Sequence, residues 1–344
     1  MNDKILMVGV VGATGYAGEE LIDILLRHPH VRVASVSAKI DKPRQMAELF
    51  PRFKNRIELA CMLPDVKQIS AQCDLIFLAL PHTVSMELVP QFLKAGKRII
   101  DLSADYRLKD TKVYEKFYET AHKDKANLPA AVYGLPELYR YKIKSASLIA
   151  NPGCYPTAAL LALAPLVACN LIDPESVIID AKSGVTGAGR KLAEGFLFSE
   201  VNEDFKAYKV NAHQHIPEID QILSRLAGHK IKVTFVPHLL PLSRGIIETI
   251  YVKRRTRTKH KQQDLLTLYK KFYKTEPFVR IKEQGQFPRL KDVTGTNFCD
   301  IGIKDDAESI IIISAIDNLL KGASGQAVQN MNIMYKFPEQ TGLL

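Results

Sequence analysis

Long apolar segments and paired cysteines are what this sequence lacks. Its longest apolar stretch, 158–168, is short and contains Pro165, so the sequence predicts no helix that crosses a membrane. The five cysteines are an odd number without Cys-x-x-Cys spacing, which argues against a disulfide framework and a cysteine-rich zinc site. A composition of 47% hydrophobic and 24% charged residues, without repeats, excludes a disordered, collagen-like or coiled-coil protein. We therefore expect a soluble, cytoplasmic protein with reduced thiols.

The chain is basic, with 47 Lys and Arg against 37 Asp and Glu and a net charge of +10. An excess of this size fits nucleic acid, a membrane surface or small anionic ligands. Six of the basic residues lie in one run, 253–261, between a predicted strand and an amphipathic helical pattern at 264–274. No aromatic residues are interleaved with them, so we interpret the run as a solvated connection and expect no nucleic-acid or membrane partner.

A length of 344 residues predicts about two domains. Short apolar runs first alternate with helical patterns, which is typical of a parallel, doubly wound sheet. Later β-rich runs have longer connections and predict a second, mixed sheet. The predicted strands are 5–11, 31–37, 75–80, 98–102 and 148–150, then 177–181, 230–236, 245–252 and 309–314. We predict an α/β domain at 1–150, a mixed-sheet α+β domain at 151–316, and a C-terminal helix in 317–344 that returns to the first domain.

A glycine-rich loop follows the first predicted strand. It reads Gly12-Ala-Thr14-Gly15-Tyr16-Ala-Gly18 and leads into a helical pattern at 19–27. Glycines are needed where a chain turns tightly and where backbone N–H groups approach a pyrophosphate at a helix N-terminus. The spacing G-x-x-G-x-x-G departs from G-x-G-x-x-G, and a glycine turn without a ligand is the alternative. The strand, loop and helix together predict a dinucleotide site.

The end of the second predicted strand discriminates between cofactors. It reads Ser35-Val-Ser37-Ala-Lys39, and no acidic residue occurs before Asp41. An acidic residue here suits the ribose 2′-hydroxyl of NAD, whereas polar or basic residues suit a 2′-phosphate. Ser37 and Lys39 therefore favour NADP(H), although Lys39 would also be ordinary as a solvated surface lysine.

One cysteine has the surroundings of a nucleophile. Asn151-Pro-Gly-Cys154-Tyr-Pro-Thr157 lies between a predicted strand and a helical pattern at 158–167, which puts Cys154 just ahead of a helix N-terminus. The positive end of a helix lowers a thiol pKa and stabilises an oxyanion. The remaining cysteines are interpreted as small buried residues, and they are Cys61, Cys73, Cys169 and Cys299.

A pair of histidines, His213 and His215, are the candidates for proton transfer to and from Cys154. In an extended segment both would point to the same face, so either one could reach the thiol. A two-histidine metal site is the competing interpretation, but the sequence offers no third ligand nearby. We therefore expect no metal.

The segment around Cys154 resembles the N-P-G-C-Y-P-T active site of the N-acetyl-gamma-glutamyl-phosphate reductase family, in the aspartate-semialdehyde dehydrogenase-like group. Other segments resemble the same family in order along nearly the whole chain. They are 12–18, LALPH at 78–82, LSADYR at 102–107, YGLPE at 133–137, SGVTGAGR at 183–190, HQHIPEI at 213–219, PHLLP at 237–241, GTNFCD at 295–300 and DNLLKG at 317–322.

The resemblance implies a reaction that these residues support. It is the NADPH-dependent reduction of N-acetyl-L-glutamyl 5-phosphate to N-acetyl-L-glutamate 5-semialdehyde and phosphate, in L-arginine biosynthesis. The Cys154 thiolate would displace phosphate and leave a thioacyl enzyme. His215 would be the acid and base, with His213 as a substrate or orienting contact. The two domains are expected to meet with Cys154 facing the nicotinamide, and the chain is expected to form a homo-oligomer, a dimer or a tetramer.

Further contacts follow from the resemblance and from residue type. Arg107 suits a bidentate contact with carboxylate or phosphate, although a structural Asp–Arg pair is nearly as good an interpretation. The loop 183–190, with its hydroxyls, glycines and arginine, suits a phosphate or an approach to the nicotinamide. The predicted substrate contacts are Ser103, Arg107, Ser183 and Arg190, and the predicted cofactor contacts are Gly12, Thr14, Gly15, Tyr16, Gly18, Ser37, Lys39, Pro81, His82, Gly187 and Asn318.

Three other functions compete with this one. The same chemistry could act on aspartyl phosphate or on a carrier-protein-linked aminoadipyl phosphate. The His-x-His-x-Pro-Glu-Ile motif argues against the first and discriminates poorly against the second, whose acidic carrier would suit a basic surface. A non-catalytic NADP sensor is the alternative of a different class, and it would need neither Cys154 nor the histidine pair.

Overall fold

The computed structural model describes residues 5–190, 192–255, 264–306 and 308–344. Most of the basic run predicted as a solvated connection, 256–261, lies outside these residues. The contacts divide the chain into two units, Met1–Pro152 with Ala323–Leu344, and Gly153–Gly322. The prediction placed these limits at 150 and 316.

The first unit contains a six-stranded parallel sheet with the order β2-β1-β5-β6-β8-β7. A separate two-stranded antiparallel sheet, β3 with β4, falls between β2 and β5 in the chain. The strands are β1 Leu6–Val11, β2 Val31–Ser37, β3 Arg44–Gln45, β4 Ala60–Cys61, β5 Leu75–Leu78, β6 Arg98–Asp101, β7 Val132–Tyr133 and β8 Leu148–Ala150. The helices are α1 Tyr16–Leu25, α2 Met46–Leu49, α3 Val66–Gln72, α4 Ser85–Lys94, α5 Thr111–Tyr118 and α6 Pro136–Ser145, with a 3-10 turn at Pro51–Phe53.

The composition of these strands explains their position in the fold. β1 and β5 are almost continuously apolar and buried, because helices cover both faces of a parallel sheet. Their side chains join one core cluster with residues of α4, among them Val89 and Phe92. The carboxyl ends of β1, β2 and β5 consequently lie along one edge, where ligands bind in this class of sheet.

The second unit contains a seven-stranded mixed sheet with the order β10-β11-β9-β12-β15-β14-β13. The pairs β9–β11 and β13–β14 are parallel, and the other neighbours are antiparallel. The strands are β9 Ile178–Gly184, β10 Lys206–Ala207, β11 Thr234–Leu240, β12 Ile246–Lys253, β13 Val279–Ile281, β14 Cys299–Asp305 and β15 Ser309–Ile316. The helices are α7 Cys154–Ala168, α8 Phe198–Val201, α9 Ile216–Ala227, α10 Leu265–Phe272 and α11 Leu290–Val293, with 3-10 turns at Val185–Ala188 and Glu194–Phe196.

The two faces of this sheet differ. Helix α7 is apolar all round and buried along nearly its whole length, and it contacts β12, β14 and β15. Strand β12 alternates, with Ile246, Ile250 and Val252 buried and Tyr251 exposed. The sheet is therefore packed on one face and open on the other.

The C-terminal residues belong to the first unit. A π-helical turn, Leu320–Ser324, leads into α12 Gly325–Tyr335, which contacts α1 and α6. The Asn332 amide donates to the backbone oxygens of Glu339 and Thr341, and its oxygen lies 3.0 Å from His28 Nε2. These bonds hold the last residues against the unit.

The predicted fold class, a parallel-sheet α/β domain followed by a mixed-sheet α+β domain, is confirmed. Strand 31–37 agrees residue for residue, whereas 230–236 is wrong because β11 begins at Thr234 and runs through Pro237. Strand β14 was missed, because its centre is broken by Gly302, and short edge strands such as β13 carry little pattern. Among the described residues, no helix is both long and apolar enough to span a bilayer.

Candidate active site

The glycine loop of the first unit is shaped by steric need at two positions. Gly12 has φ +96°, and a Cβ there would lie 2.2 Å from the Ala79 oxygen. Helix α1 begins at Tyr16, earlier than the predicted residue 19, so Gly18 lies inside the helix and a Cβ there would meet the Gly12 oxygen at 2.2 Å. Gly15 is the residue before the helix, and Thr14 and Tyr16 are half-buried beside it. Glycine at 12 and 18 thus allows the close backbone approach that a pyrophosphate-binding loop needs at a helix N-terminus.

The end of β2 lies against the glycine loop. The backbone carbonyl oxygen of Ser37 accepts hydrogen bonds from the Gly12 and Ala13 amides at 2.7 and 3.0 Å, and these bonds connect β2 to the loop. The Ser37 hydroxyl is buried and has no hydrogen-bond partner among the described residues. A buried polar atom of this kind normally has a partner. Lys39 lies exposed two residues further on, so a buried hydroxyl and an exposed positive charge both lie at the carboxyl end of β2.

Polar residues that follow β5 and β6 form one network. His82 Nδ1 accepts from the Ala104 amide at 3.1 Å, and Pro81 and His82 are exposed. Ser103 is fully buried and donates to Asp101 at 2.8 Å. Burial raises the pKa of Asp101 above its usual range, and the neighbouring Asp105 raises it further. The Ser103 hydroxyl is therefore engaged within the fold.

Arg107 is nearly buried, and the structure fixes its guanidinium. The Arg107 Nε donates to the backbone carbonyl oxygen of Asn151, and Nη2 donates to that of Leu102, both at 2.8 Å. Asp105, two residues before it, accepts from the Thr83 and Met86 amides and from the Tyr114 hydroxyl. Two backbone carbonyl oxygens thus fix the orientation of the Arg107 guanidinium.

Cys154 is the first residue of α7, where the prediction placed it just ahead of the helix. Gly153 precedes the helix, and its amide donates to the buried carboxylate of Glu218 at 2.9 Å. Hydrogen bonding within the helix starts with the Thr157 amide, and Pro156 has no N–H. The amides of Cys154 and Tyr155 are therefore directed out of the helix N-terminus, beside the half-buried thiol.

A second segment packs directly against Cys154. A Cβ on Gly322 would lie 2.8 Å from the Cys154 Cβ and 3.2 Å from its Cα, so only glycine fits there. The turn before it is held by Asp317, whose carboxylate accepts from the Leu319 and Leu320 amides. Asp317 also lies 3.2 Å from Arg244 Nε. Residues 317–322 therefore form a turn that packs against Cys154 and supports its position.

Asn318 has its amide engaged within the second unit. Its oxygen accepts from the Gly245 amide at 2.8 Å, and its nitrogen donates to the Thr186 hydroxyl at 3.0 Å. Thr186 lies in the 3-10 turn that carries Gly187, and Ser183 is buried in β9 just before it. Asn318 thus fixes the start of the loop 183–190, while Gly187 and Arg190 are exposed.

The histidine pair is held in a turn, so the predicted extended segment is wrong. His213 Nδ1 accepts from the His215 amide at 3.1 Å, and His215 is the residue before α9. The two ring centroids are 4.8 Å apart. Both rings nevertheless pack on Tyr155, at 5.4 and 5.9 Å, so the structure does bring both histidines to the residue after Cys154.

Two tyrosines complete this cluster. The hydroxyls of Tyr155 and Tyr208 are 3.0 Å apart, and the Tyr208 ring lies 5.7 Å from that of His213. Burial chiefly raises the pKa of Tyr208 to about 12, with a further rise from Cys154 opposed by the hydrogen bond from Tyr155. Burial likewise raises the pKa of Tyr155. Both hydroxyls therefore stay protonated at neutral pH, as hydrogen-bond donors.

Sequence reasoning missed four residues of this cluster: Tyr155, Tyr208, Glu218 and Gly322. Tyr155, Glu218 and Gly322 lie inside motifs that were quoted, so their motifs were the available signal. Tyr208 lies in no motif, and only the fold brings it to Cys154. The interpretation of Cys169 as buried is wrong, because it is exposed just after α7, whereas Cys61, Cys73 and Cys299 are buried. Among the described residues, no three His, Cys, Asp or Glu side chains are grouped as metal ligands would be.

Two family models match the chain and define its class. Residues 7–146 match the semialdehyde dehydrogenase NAD binding domain, and residues 154–318 match the semialdehyde dehydrogenase dimerisation domain. The chain is thus an oxidoreductase of the semialdehyde dehydrogenase class. Crystal structures of aspartate semialdehyde dehydrogenases share the fold. That of the Vibrio cholerae enzyme II complexed with ASA has a TM-score of 0.72 at 17% identity, covering 97% of this chain and 99% of the other. The Candida albicans enzyme with NADP has a TM-score of 0.69 at 14% identity, covering 96% and 99%.

Curated relatives are much closer in sequence. A protein of Geobacter metallireducens named N-acetyl-gamma-glutamyl-phosphate reductase is 52% identical over 342 residues, covering 98% of each chain. One of Pelotomaculum thermopropionicum with the same name is 48% identical over 338 residues, covering 98% of this chain and 97% of the relative. The chain belongs to the N-acetyl-gamma-glutamyl-phosphate reductase family.

Proposed function

We propose that the protein reduces N-acetyl-L-glutamyl 5-phosphate to N-acetyl-L-glutamate 5-semialdehyde with NADPH, releasing phosphate, as a step of L-arginine biosynthesis. The observation that carries the proposal is Cys154 at the first position of α7, with two histidines packed on the adjacent Tyr155. The names of the relatives supply the substrate. A sensor that only binds cofactor would need no such thiol.

The first half of the reaction uses Cys154 and a histidine. His215 takes the thiol proton, and the thiolate attacks the acyl carbon to form the C–S bond. The C–O bond to phosphate breaks, and the departing phosphate takes the proton from His215. The amides of Cys154 and Tyr155 stabilise the negative charge on the acyl oxygen. The product of this half is a thioacyl group on Cys154.

The second half regenerates the thiolate. When bound, NADPH supplies the hydride that reduces the thioester. The helix N-terminus again stabilises the oxyanion on the former acyl carbon. Collapse of that oxyanion breaks the C–S bond, releases the aldehyde and leaves the Cys154 thiolate, which takes a proton from solvent.

Hydrogen bonding separates the roles of the two histidines. His213 Nδ1 accepts from a backbone amide, so the neutral ring carries its proton on Nε2 and donates there. A ring fixed as a donor suits a substrate or orienting contact rather than removal of a proton. His215 is therefore assigned as the acid and base.

The binding residues remain proposals on the geometry above. The loop Gly12, Thr14, Gly15, Tyr16 and Gly18 would hold the pyrophosphate, and Ser37 with Lys39 the 2′-phosphate. Pro81, His82, Gly187 and Asn318 would line the nicotinamide half. Ser103, Arg107, Ser183 and Arg190 would hold the anionic substrate, with Arg107 pre-oriented by its two bonds to backbone carbonyl oxygens.

The assembly and location follow the same reasoning. The match to a dimerisation domain supports a homo-oligomer, a dimer or a tetramer. All five cysteines are free thiols, and the reaction needs Cys154 reduced, which supports the cytoplasm as its location.

The test is phosphate-dependent reduction of NADP⁺ in the reverse direction. We expect turnover with N-acetylglutamate 5-semialdehyde and at least about 100-fold lower kcat/KM with aspartate semialdehyde. A site that hydrogen-bonds one substrate discriminates strongly against an analogue that lacks the bonded group. Cys154→Ala is expected to abolish turnover while NADP⁺ still binds. Turnover by Cys154→Ala, or a preference for aspartate semialdehyde, would overturn the proposal. A preference for the carrier-linked aminoadipate semialdehyde would transfer the mechanism to that substrate.

A further inference from the structure

One turn of the first unit contains a residue in a strained backbone conformation. Residues 79–84, here called the β5–α4 turn, connect the end of β5 to the start of α4, and Thr83 within them has φ +73°. Of the eight non-glycine residues with a positive φ in the described parts of the chain, Thr83 alone is β-branched. A β-branched side chain crowds the backbone in this region, so the conformation is costly. It persists only where other contacts hold it.

Asp105 supplies contacts that hold this turn. It lies in the loop after β6 and is fully buried. Its Oδ1 accepts from the Thr83 amide at 2.7 Å, and its Oδ2 accepts from the Met86 amide at 3.0 Å. The first bond is made by the strained residue itself, and the second satisfies one of the first amides of α4, which have no partner within the helix. A single carboxylate therefore fixes both the strained residue and the start of the helix that follows it.

Asp105 is in turn held by its own neighbours. The Tyr114 hydroxyl of α5 donates to Asp105 Oδ1 at 2.7 Å, and the Asp105 amide donates to the Ser103 hydroxyl at 3.1 Å. The backbone oxygen of Asp105 lies 2.6 Å from Nε2 of the buried His122. Backbone and side chain are both bonded on several sides, so Asp105 is a rigid support for the turn.

The β5–α4 turn lies beside the glycine loop. Its first residue, Ala79, approaches that loop closely, since a Cβ on Gly12 would lie 2.2 Å from the Ala79 oxygen. Further along the turn, Pro81 and His82 are exposed. His82 Nδ1 accepts from the Ala104 amide, in the same loop after β6 that contains the supporting aspartate. The turn therefore presents a proline and an oriented imidazole at the edge of the sheet where the cofactor is expected to bind.

We propose that Asp105 is a positioning residue for the nicotinamide end of NADPH, because it holds Thr83 in its strained conformation and thereby fixes the two exposed residues before it. The inference rests on the proposed function, in which Pro81 and His82 line the nicotinamide half of the cofactor site. Asp105 is fully buried and acts through the turn. Its effect is therefore expected at the nicotinamide end and not at the adenosine end, which the glycine loop and Ser37 would hold.

The test compares two ligands that differ only at the nicotinamide end. They are NADPH and 2′-phospho-ADP-ribose, which is the same dinucleotide without its nicotinamide. Asp105→Asn replaces one carboxylate oxygen by an amide nitrogen, so either the Thr83 or the Met86 amide loses its acceptor. By titration calorimetry, the affinity for NADPH is expected to fall about 10-fold, because the released turn must regain its strained conformation on binding. The affinity for 2′-phospho-ADP-ribose is expected to stay within about 2-fold of wild type.

Two further variants separate strain from loss of a helix cap. Glycine adopts a positive φ at no steric cost, so Thr83→Gly added to Asp105→Asn is expected to recover at least about 3-fold of the lost NADPH affinity. Asp110→Asn is the matched control. Asp110 is an exposed aspartate that accepts from the Lys112 and Val113 amides at the start of α5, next to no strained residue. It is expected to leave both affinities unchanged.

Thr83→Pro disrupts the same contact from the other side, and it decides the question if Asp105→Asn does not fold. Proline has no N–H for Asp105, and its φ is fixed near about −65°. We expect the same selective loss of NADPH affinity, with the fold retained by circular dichroism. An equal loss for both ligands would overturn the proposal, because Asp105 would then support the unit as a whole. Wild-type NADPH affinity in Asp105→Asn, or no recovery in the double variant, would overturn it as well.

The binding experiment needs no acyl substrate, so it fails separately from the proposed function. If wild type bound both ligands but reduced no acetylglutamyl phosphate, the proposed substrate would be wrong, while the role of Asp105 would still be decided. If wild type bound NADPH no better than 2′-phospho-ADP-ribose, the nicotinamide would make no contact that the turn could fix. That result would overturn the role of Asp105 whatever the substrate.

Discussion

Gly322 offers a direct way to displace the nucleophile without removing it. An alanine Cβ at this position would lie 2.8 Å from the Cys154 Cβ, whereas ordinary contacts begin at 3.4 Å. The two groups must therefore separate by about 0.6 Å or more. The neighbours give little freedom, because the Cys154 Cα and the Asp317 oxygen would also lie within 3.3 Å.

A displacement of this size has a predictable cost. Misplacement of a reacting group by about 1 Å costs roughly 100-fold in rate, so Gly322→Ala is expected to lower kcat about 10- to 100-fold. Overpacking is also expected to destabilise the fold by about 1–3 kcal/mol. The KM for NADPH is expected to stay unchanged, because the glycine loop is not altered.

The assay has two parts, steady-state kinetics and the rate of Cys154 alkylation by iodoacetamide. A Cys169→Ser background removes the other accessible thiol, since Cys61, Cys73 and Cys299 are buried. Gly15→Ala is the matched control, because its Cβ would meet nothing closer than 3.7 Å. It is expected to affect cofactor KM and leave alkylation unchanged. A Gly322→Ala enzyme with wild-type kcat and alkylation rate would refute the reasoning.

Three further predictions concern buried titratable groups. Glu248 is buried on β12 without a hydrogen-bond partner among the described residues, and desolvation raises its pKa well above the usual value. The folded state therefore keeps a proton that the unfolded state loses. The free energy of unfolding consequently falls as pH rises above about 4.5, by up to about 1.4 kcal/mol per pH unit. Glu248→Gln is expected to remove this pH dependence in urea unfolding, and an unchanged pH dependence would contradict the assignment. Burial lowers the pKa of His28, whose Nδ1 accepts from the His30 amide, so stability is expected to fall as pH drops below about 6.5, and His28→Gln is expected to flatten that part of the profile. Glu218→Ala is expected to lower both Tm and kcat, because the buried Gly153 amide loses its acceptor at a cost of about 1–3 kcal/mol. Glu218→Gln keeps an acceptor and is expected to lower both quantities less. Equal decreases in the two variants would show that the charge of Glu218 matters and not the hydrogen bond.

The parts of the fold that the sequence predicts are those with strong local patterns. β1, the glycine loop and α1 follow from an apolar run and steric demands that act within a few residues. Cys154 was found for the same reason, since glycine and proline mark the start of α7. The glycine at 12 is such a local requirement, because its φ is positive and its backbone lies close to Ala79.

The remainder depends on hydrogen bonds that residue type and spacing do not reveal. His213 and His215 were predicted as extended, but the amide bond to His213 Nδ1 and the start of α9 fold them into a turn. Tyr208 reaches Tyr155 across 53 residues, and nothing local announces it. Ser103 has the residue type of a substrate contact, yet its hydroxyl donates a hydrogen bond to the buried side chain of Asp101. In each case a hydrogen bond decides the role, between residues two apart for His213 and Ser103 and between distant residues for Tyr208.

The central claim is that Cys154 carries the acyl group of acetylglutamate. The most direct measurement is mass spectrometry of the enzyme after mixing with N-acetylglutamate 5-semialdehyde and NADP⁺ in the absence of phosphate. Without phosphate the thioacyl group has no acceptor, so we predict an N-acetylglutamyl adduct on the peptide that contains Cys154, released when phosphate is added. An enzyme that turns over without this adduct, or that carries it on another residue, would contradict the account.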